Sequence, residues 1–300
     1  MNETTRAGYV ALIGLPNAGK SSLLNQLLGT KLSIVTPLAQ TTRERVVGID
    51  TRDGVQMVFL DTPGIVDPAY LLHHAMAGIV EEAISDADVI VLLLDGTRPP
   101  PALAPEVLST LRKAGPRLLV TINKGDVAAD TLVVELREWA REQLGVVPEV
   151  ISATSGAGVE ELRARIAPLL PESPFLFPED EMSTQSVRFF VAELVRESVF
   201  ELFQEEVPYS VATKVEEFRE ERDPLVIRAT IYVERPSQKA IVIGKGGSAI
   251  RELGTHARAK IERFLERHVY LELWVKVLPK WRKSPLELRR LGFPVPQERQ

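Results

Sequence analysis

The chain has 300 residues, 45% of them hydrophobic, no cysteine and a formal net charge of −5. This length suggests one large domain and a smaller one, and the lack of cysteine excludes disulfides and thiolate metal sites. We expect no secretory signal, because the N-terminal residues contain no apolar segment. The longest aliphatic run, Val89–Leu94, is far too short to span a bilayer. These properties are typical of a soluble globular protein and compatible with the cytosol.

Positive charge is concentrated at the C-terminal end of the chain. From Pro236 onward there are 14 basic and 6 acidic residues, which leaves this part at +8 and the first 235 residues at −13. Such an asymmetry indicates a polyanion-binding end. Charge alone leaves open the alternative of a solvated basic face without a ligand.

A glycine-bounded loop follows the apolar run Tyr9–Ile13 and precedes leucines at helical spacing. The pattern G-x-x-x-x-G-K-S between a strand and a helix predicts a phosphate cradle, because glycines let backbone amides approach phosphate oxygens at a helix N-terminus. Lys20 is expected to reach the β- and γ-phosphates, and the Ser21 hydroxyl to bind Mg²⁺. The predicted nucleotide-binding residues of this loop are Gly14, Leu15, Pro16, Asn17, Ala18, Gly19, Lys20, Ser21 and Ser22.

A loop over 31–45 comes next, and two strands over 46–51 and 55–60 are joined by an Asp-Gly hairpin turn. The second strand runs into a four-residue turn formed by Asp61, Thr62, Pro63 and Gly64. An aspartate at a strand end after a phosphate loop suits Mg²⁺ or its water. The small Gly64 lets its backbone N–H approach a γ-phosphate.

Beyond residue 88 the pattern predicts alternating strands and helices: strands over 89–95, 117–122 and 149–151, and helices over 105–114, 131–144 and 159–169. The strand before Asn123 leads into Asn-Lys-Gly-Asp. The Asp126 carboxylate can accept hydrogen bonds from guanine N1–H and the 2-amino group, a pair of donors that adenine lacks. Asn123 can meet the N7/O6 edge and the Lys124 stem can pack along the ring. The strand near 150 ends in Ser152 and Ala153, whose backbone N–H can donate to guanine O6.

Five elements therefore stand in the order of the P-loop GTPases, which this part of the chain resembles: GLPNAGKS, a loop threonine, DTPG, NKGD and SATSG. The alternative, an ATP-using P-loop kinase, is not expected to combine NKGD with the SA strand end. The resemblance implies GTP or GDP and Mg²⁺ as cofactors of a doubly wound, mostly parallel α/β sheet, with nucleotide at the carboxyl ends of the strands. It implies the metal ligands Ser21, Thr42 and Asp61 and the catalytic residues Lys20, Thr42, Gly64 and Asn17.

Ile65 occupies the position where Ras-like GTPases place a water-orienting glutamine. An aliphatic side chain cannot hydrogen-bond a water, so we expect slow intrinsic hydrolysis. In related GTPases with a hydrophobic residue here, a loop asparagine matching Asn17 helps to hold a catalytic K⁺. Activation by K⁺ is a hypothesis for this chain.

Prolines and acidic residues predict a stiff acidic linker over 171–187, between a GTP-binding domain over 1–170 and a second domain over 188–300 with a basic tail. The second domain has the order helix, two strands, helix, GKGG loop, helix, strand, which resembles a type II KH domain. A tight G-x-x-G loop lets the protein approach a nucleic-acid backbone, and a KH groove holds about four unpaired bases. The alternative is a glycine-rich turn without a ligand. Trp274 is expected to pack in the core, and the predicted RNA-binding residues are Ile243, Gly244, Lys245, Gly246, Gly247, Lys280, Trp281 and Arg282.

A GTPase domain followed by a type II KH domain resembles the Era family of bacterial ribosome-assembly GTPases over essentially the whole chain, including AQTTR at 39–43 and the Trp-Arg tail at 281–282. The likeness implies a GTP-hydrolysing switch that binds small-subunit (16S) ribosomal RNA near its 3′ end and acts in rRNA processing and small ribosomal subunit assembly. It implies a cytoplasmic protein with some peripheral membrane association, which we expect to be a monomer. Two alternatives stay open: a membrane-associated cell-cycle signalling GTPase whose basic end binds lipid or protein, and a static RNA-binding module with a vestigial nucleotide site.

Overall fold

The structure is a computed structural model that describes residues 5–36 and 38–295. Its backbone forms two compact units. The first contains the residues up to Asp67 together with Met76–Thr184, and the second contains Pro68–Ala75 together with the residues from Gln185 onward. In the described ranges no helix is both long and apolar enough to cross a membrane.

Strands and helices alternate through residue 166, because apolar runs with few polar interruptions alternate with amphipathic segments. In chain order they are β1 (Arg6–Gly14), α1 (Lys20–Leu28), β2 (Val46–Arg52), β3 (Val55–Asp61), α2 (Leu71–Asp86), β4 (Val89–Asp95), α3 (Pro105–Ala114), β5 (Leu118–Asn123), α4 (Asp130–Leu144), β6 (Glu149–Val150) and α5 (Val159–Ile166). Most of α2 lies in residues 73–88, for which the sequence predicts no element.

The first unit contains a six-stranded sheet in the order β2-β3-β1-β4-β5-β6. Only β2 runs antiparallel to its neighbour; the other paired strands are parallel. The predicted doubly wound, mostly parallel sheet is therefore confirmed. Because β1, β3 and β5 are parallel, the carboxyl ends at Gly14, Asp61 and Asn123 share one edge of the sheet, which is where such folds bind ligands.

Residues 171–183 follow the surface of the first unit as a segment that is hydrogen-bonded along its length. The buried Gln56 accepts the backbone N–H groups of Leu176 and Phe177 at 2.7 and 3.0 Å through Oε1, and its Nε2 donates to Phe177 O at 2.9 Å. Further along, Ile49 N–H donates to Met182 O at 2.9 Å. This segment is thus anchored to the first unit for most of the range predicted as a linker, and the domain boundaries at 170 and 188 stay a prediction.

The second unit places helices on a three-stranded sheet in the order β7-β8-β9. β7 and β8 are antiparallel, whereas β8 and β9 are parallel. The elements are α6 (Val187–Leu202), α7 (Val207–Ser210), β7 (Ala212–Arg219), β8 (Leu225–Val233), α8 (Pro236–Ile243), α9 (Ser248–Leu265), β9 (Val269–Val277) and α10 (Pro285–Arg290). The predicted order of this α+β domain is confirmed. The short helix α10 has no counterpart among the predicted elements.

Candidate functional sites

The loop between β1 and α1 forms a closed cradle around the Lys20 ammonium. Lys20 Nζ donates to Gly14 O and Leu15 O, at 3.1 Å each, and the residue is only 6% exposed. At the start of α1, Gly19 has a φ of 96°, and a Cβ at this position would lie 2.1 Å from Asn123 Nδ2. Glycine is required here both by the backbone conformation and by the close approach of a neighbouring strand end.

The three predicted metal ligands converge on one point. Ser21 Oγ lies 2.9 Å from Thr42 Oγ1 and donates to Asp61 Oδ2 at 2.7 Å. Asp61 is fully buried, and within the described residues its Oδ1 has no hydrogen-bond partner. Two hydroxyls and a carboxylate with a spare oxygen are the hard ligands that Mg²⁺ prefers, so the residues present fit the ion.

Burial perturbs both charged groups of this centre. It lowers the pKa of Lys20 from 10.5 to about 8, against the attraction of Asp61. It also raises the pKa of Asp61 from 3.8 to about 6, while Lys20 and the hydrogen bond from Ser21 oppose the shift. Each charge is costly here because it has lost its hydration. Bound Mg²⁺ would stabilise the Asp61 carboxylate, and bound phosphate the Lys20 ammonium.

The end of β5 connects the predicted base pocket to the phosphate loop. Asn123 is 2% exposed, its Nδ2 donates to Ala18 O at 2.8 Å, and its Oδ1 accepts the Ala153 backbone N–H at 2.9 Å. The predicted donor to guanine O6 is therefore bonded to Asn123 in this structure. Asn123 fixes the phosphate loop and the Ala153 loop to each other, a positioning role that the motif alone does not reveal. Asp126 is exposed and accessible to a ligand.

A cavity of about 510 Å³ lies over the phosphate loop and reaches Lys124 of the base pocket, whereas Asn123, Asp126 and Ala153 are not among its described lining residues. Its size is within the range of small-molecule sites. Its lining includes the predicted phosphate, metal and base residues Pro16, Asn17, Gly19, Lys20, Ser21, Ser22, Thr42, Gly64 and Lys124, together with Thr97 and Arg98, which no predicted motif contains.

Gly64 and Ile65, which follow β3, lie against the phosphate loop. A Cβ on Gly64 would lie 2.6 Å from Pro16 N, so only glycine allows this approach. Ile65 N–H donates to Gly14 O at 3.0 Å, and the Ile65 side chain packs against the hydrophobic core of the first unit. An isoleucine directed toward the core cannot orient a water at the γ-phosphate, and slow intrinsic hydrolysis stays a prediction.

The GKGG loop joins α8 to α9 through three glycines with positive φ. Gly246 and Gly247 have φ values of 61° and 78°, and a Cβ on either would meet no described atom within 4 Å. These two glycines therefore serve backbone conformation and leave open space above the loop. Lys245 is exposed, and an Arg251 guanidinium nitrogen donates to Gly246 O at 3.0 Å.

Beside this loop, a groove of about 340 Å³ runs between α9 and β9. Its lining is apolar at the base and basic along the helix; the residues are Ile250, Arg251, Gly254, Thr255, Arg258, Tyr270, Leu271 and Leu273. On β9, Tyr270 and Trp274 are each 55% exposed. The prediction that Trp274 packs in the core is wrong, because the alternation of β9 turns even-numbered residues outward. Tyr270 lines the groove, whereas Trp274 is not among its described lining residues. Open apolar space with cations and an exposed ring suits unpaired bases.

Two of the predicted RNA-binding residues, Trp281 and Arg282, contact other residues of the second unit. Trp281 is 0% exposed, its Nε1 donates to Ser210 O at 2.9 Å, and its ring stacks on Phe293. The prediction that Trp281 contacts RNA is therefore wrong for this conformation. Arg282 forms an ion pair with Glu234 and lies over the Tyr70 ring at 5.1 Å, so its guanidinium already has partners. Lys280 is exposed.

The strand-end loops that gather phosphate, metal and base groups on a mostly parallel sheet define a P-loop GTPase, and the second unit is a KH domain. The family model described as "50S ribosome-binding GTPase" matches residues 9–124, and a KH-domain model matches residues 206–282. Proteins named GTPase Era from Nitratidesulfovibrio vulgaris (strain DP4) and Aquifex aeolicus (strain VF5) are 43% and 41% identical to the chain, over 98% and 96% of it and 99% of each relative. The chain belongs to the Era family of GTPases.

Solved structures of the family agree over the full length. A crystal structure of Era in complex with MgGDPNP and nucleotides 1506–1542 of 16S ribosomal RNA has a TM-score of 0.91 and 40% identity, covering 97% of this chain and 100% of that one. A crystal structure of a single-residue variant of Aquifex aeolicus Era bound to GDP.AlF4- has a TM-score of 0.88 and 40% identity, with the same coverage. A guanine nucleotide and Mg²⁺ thus occupy relatives of this fold.

Proposed function

We propose that this protein is a GTP-hydrolysing switch that binds 16S ribosomal RNA near its 3′ end and acts in rRNA processing and assembly of the small ribosomal subunit. The observation that carries the proposal is the conjunction, in one chain, of a complete Mg²⁺-nucleotide site and an open GKGG loop beside a basic groove. The 40% identical Era structure contains 16S nucleotides 1506–1542. The description of the GTPase family model names the 50S ribosome, but that model matches only residues 9–124. The likeness over the full length is to Era, and it favours the small subunit.

The direct test is binding of a 16S 3′-end RNA fragment by the full chain, measured by fluorescence anisotropy. Gly246→Asp places a carboxylate where the RNA backbone is expected, so we expect the affinity to fall below detection. Gly145→Asp is the matched control: Gly145 also has a positive φ, 71°, and open space around it, but lies at the end of α4. Equal RNA binding by the two variants would contradict the proposal.

Control of RNA binding by the nucleotide requires that the two nucleotide states differ in RNA affinity. We expect the affinities measured with GDP and with a non-hydrolysable GTP analogue to differ. Equal affinities would leave a static RNA-binding module, and full function of a Lys20→Ala variant in cells would support that alternative.

Several finer properties belong to the same proposal. Activation by K⁺ is proposed because Asn17 lines the nucleotide cavity and an amide oxygen can act as a ligand of a cation. An equal hydrolysis rate in K⁺ and Na⁺ would contradict it. The protein is proposed to act as a monomer in the cytoplasm, on the small subunit, with the domain boundaries that the sequence predicts.

The GKGG groove does not argue for peripheral membrane association, because a lipid surface needs positive charge but no G-x-x-G groove. Vesicles of anionic lipid that bind Gly246→Asp as well as wild type, with no 16S binding by either, would favour the signalling alternative.

A further inference from the structure

Asp95 is a buried carboxylate beside the nucleotide cavity that none of the predicted motifs contains. It is the last residue of β4, and its side chain is 8% exposed. Its Oδ2 accepts from Lys124 Nζ at 2.7 Å. Its Oδ1 accepts the Thr97 backbone N–H at 3.0 Å and the Thr97 hydroxyl at 2.6 Å. Both carboxylate oxygens are thus used, one for a residue of the base pocket and one for the following turn.

The turn 95–98 is fixed against the end of β5. Gly96 N–H donates to Asn123 O at 2.9 Å, and a Cβ on Gly96 would lie 2.7 Å from that same oxygen. Arg98 N–H donates to Asp95 O at 3.0 Å and closes the turn. Thr97 and Arg98 consequently line the same cavity as Asn17 and Lys20.

Lys124 has an unusual backbone conformation and a long side chain that only a contact can hold in one place. Its φ is 64°, which is left-handed for a residue with a side chain. A lysine stem has many rotamers, and ordering it costs conformational entropy. The Asp95 carboxylate draws the ammonium to one place and so holds the four-carbon stem along the cavity wall before a base arrives. Such pre-organisation raises affinity without adding a contact.

Arg98 is an exposed cation of the turn. Its Nε lies 3.7 Å from Asp95 Oδ2, and its side chain is 64% exposed. Only the arginine of this pair is exposed, and at this separation the pair contributes little to stability. Because Asp95 keeps its bonds to Lys124 and Thr97, the guanidinium can leave the pair at small cost. It lines the cavity beside Pro16, at the phosphate loop, and a planar guanidinium is suited to phosphate oxygens.

We propose that Asp95–Arg98 is a further nucleotide-binding segment, in which Asp95 positions Lys124 against the guanine ring and Arg98 contacts the phosphates. The inference rests on the proposed function in one respect, namely that a guanine nucleotide occupies this cavity. A single turn between β4 and α3 thus acts on both ends of the nucleotide, on the base through Lys124 and on the phosphates through Arg98.

The Asp95 role is tested with Asp95→Asn, which keeps the side-chain shape and removes its charge. We expect fluorescently labelled GDP to bind about tenfold more weakly, equivalent to about 1.4 kcal/mol, through faster dissociation. In a Lys124→Ala background the same change should weaken binding less than about threefold, because the positioned residue is gone. An equal loss in both backgrounds would show that Asp95 acts only on the fold and would overturn the proposal.

The Arg98 role is tested by comparing Arg98→Ala with wild type for GDP and for a non-hydrolysable GTP analogue. We expect a larger loss for the triphosphate, partial recovery with Arg98→Lys, and a loss that shrinks at high salt. Arg165→Ala is the matched control, since Arg165 is an exposed arginine paired with Glu149 on the same unit and outside the cavity lining. Thermal unfolding without nucleotide verifies that each variant is folded. If wild type fails to bind GDP, the proposed function is wrong; if wild type binds and the Arg98 variants are unchanged, this inference is wrong.

Discussion

Replacing Gly19 with alanine should separate the phosphate loop from the base pocket. The new Cβ would lie 2.1 Å from Asn123 Nδ2, whereas ordinary contacts begin at 3.4 Å, so the amide must withdraw by more than 1 Å. That displacement breaks the bonds from Asn123 to Ala18 O and Ala153 N–H, which are 2.8 and 2.9 Å long. Each buried group left without a partner costs about 1–3 kcal/mol. A loss of only about 2 kcal/mol corresponds to about 30-fold in affinity, and we expect GDP binding to weaken by at least that factor.

Gly29→Ala is the control for the backbone strain that Gly19→Ala also introduces. Gly29 caps the other end of α1 with a φ of 65°, and no described atom lies within 4 Å of its would-be Cβ. Both variants should lose about 1–2 kcal/mol of stability from the left-handed conformation. Only Gly19→Ala should lose nucleotide affinity.

The assay is a titration with fluorescently labelled GDP, at a temperature where thermal unfolding shows both variants to be folded. GDP binding by Gly19→Ala within about threefold of wild type would refute the argument from close approach. So would an equal loss of affinity in Gly29→Ala, since strain alone would then explain it.

Three further predictions concern the metal centre and the two tryptophans. Because burial raises the pKa of Asp61 from 3.8 to about 6, Mg²⁺ affinity should rise with pH up to about 6 and then level off. Without Mg²⁺ this group should stabilise the fold below about pH 4 and lose that contribution as the pH rises through about 6; a pH-independent Mg²⁺ titration would contradict both. Trp281→Phe should lower thermal stability by about 1–3 kcal/mol, because Ser210 O loses its buried donor, while RNA affinity of the folded protein stays unchanged; weaker RNA binding would return Trp281 to the interface. Trp274→Ala should do the reverse, with stability within about 0.5 kcal/mol and RNA affinity lowered by about 1–3 kcal/mol of stacking; unchanged anisotropy titrations would exclude that ring from binding.

The two tryptophans show that local sequence does not predict which aromatic side chains are buried. Trp274 lies among aliphatic residues and Trp281 among basic ones, so local composition predicts the first as core and the second as a ligand contact. In the structure Trp274 is 55% exposed and Trp281 is fully buried. Strand alternation turns Trp274 outward on β9, which is an edge of the three-stranded sheet, and the turn after β9 inserts Trp281 beneath α7 and Phe293. Burial of these rings depends on which surfaces meet, and neighbouring residues do not encode that.

The sequence by itself determined the class of this protein. The spacing of GLPNAGKS, DTPG, NKGD and GKGG defines the loops, because phosphate, metal and base chemistry each require particular residue types at fixed separations along one turn. Tertiary structure decided how those loops act together. Parallel strands place Gly14, Asp61 and Asn123 at one edge, which lets the Ser21 hydroxyl meet Asp61 and the Asn123 amide hold Ala18 and Ala153. Asp95 belongs to none of these motifs, and its role depends on the tertiary structure. Because β4 lies between β1 and β5, its last residue is placed between the phosphate loop and Lys124, where the Asp95 carboxylate accepts a hydrogen bond from the Lys124 ammonium.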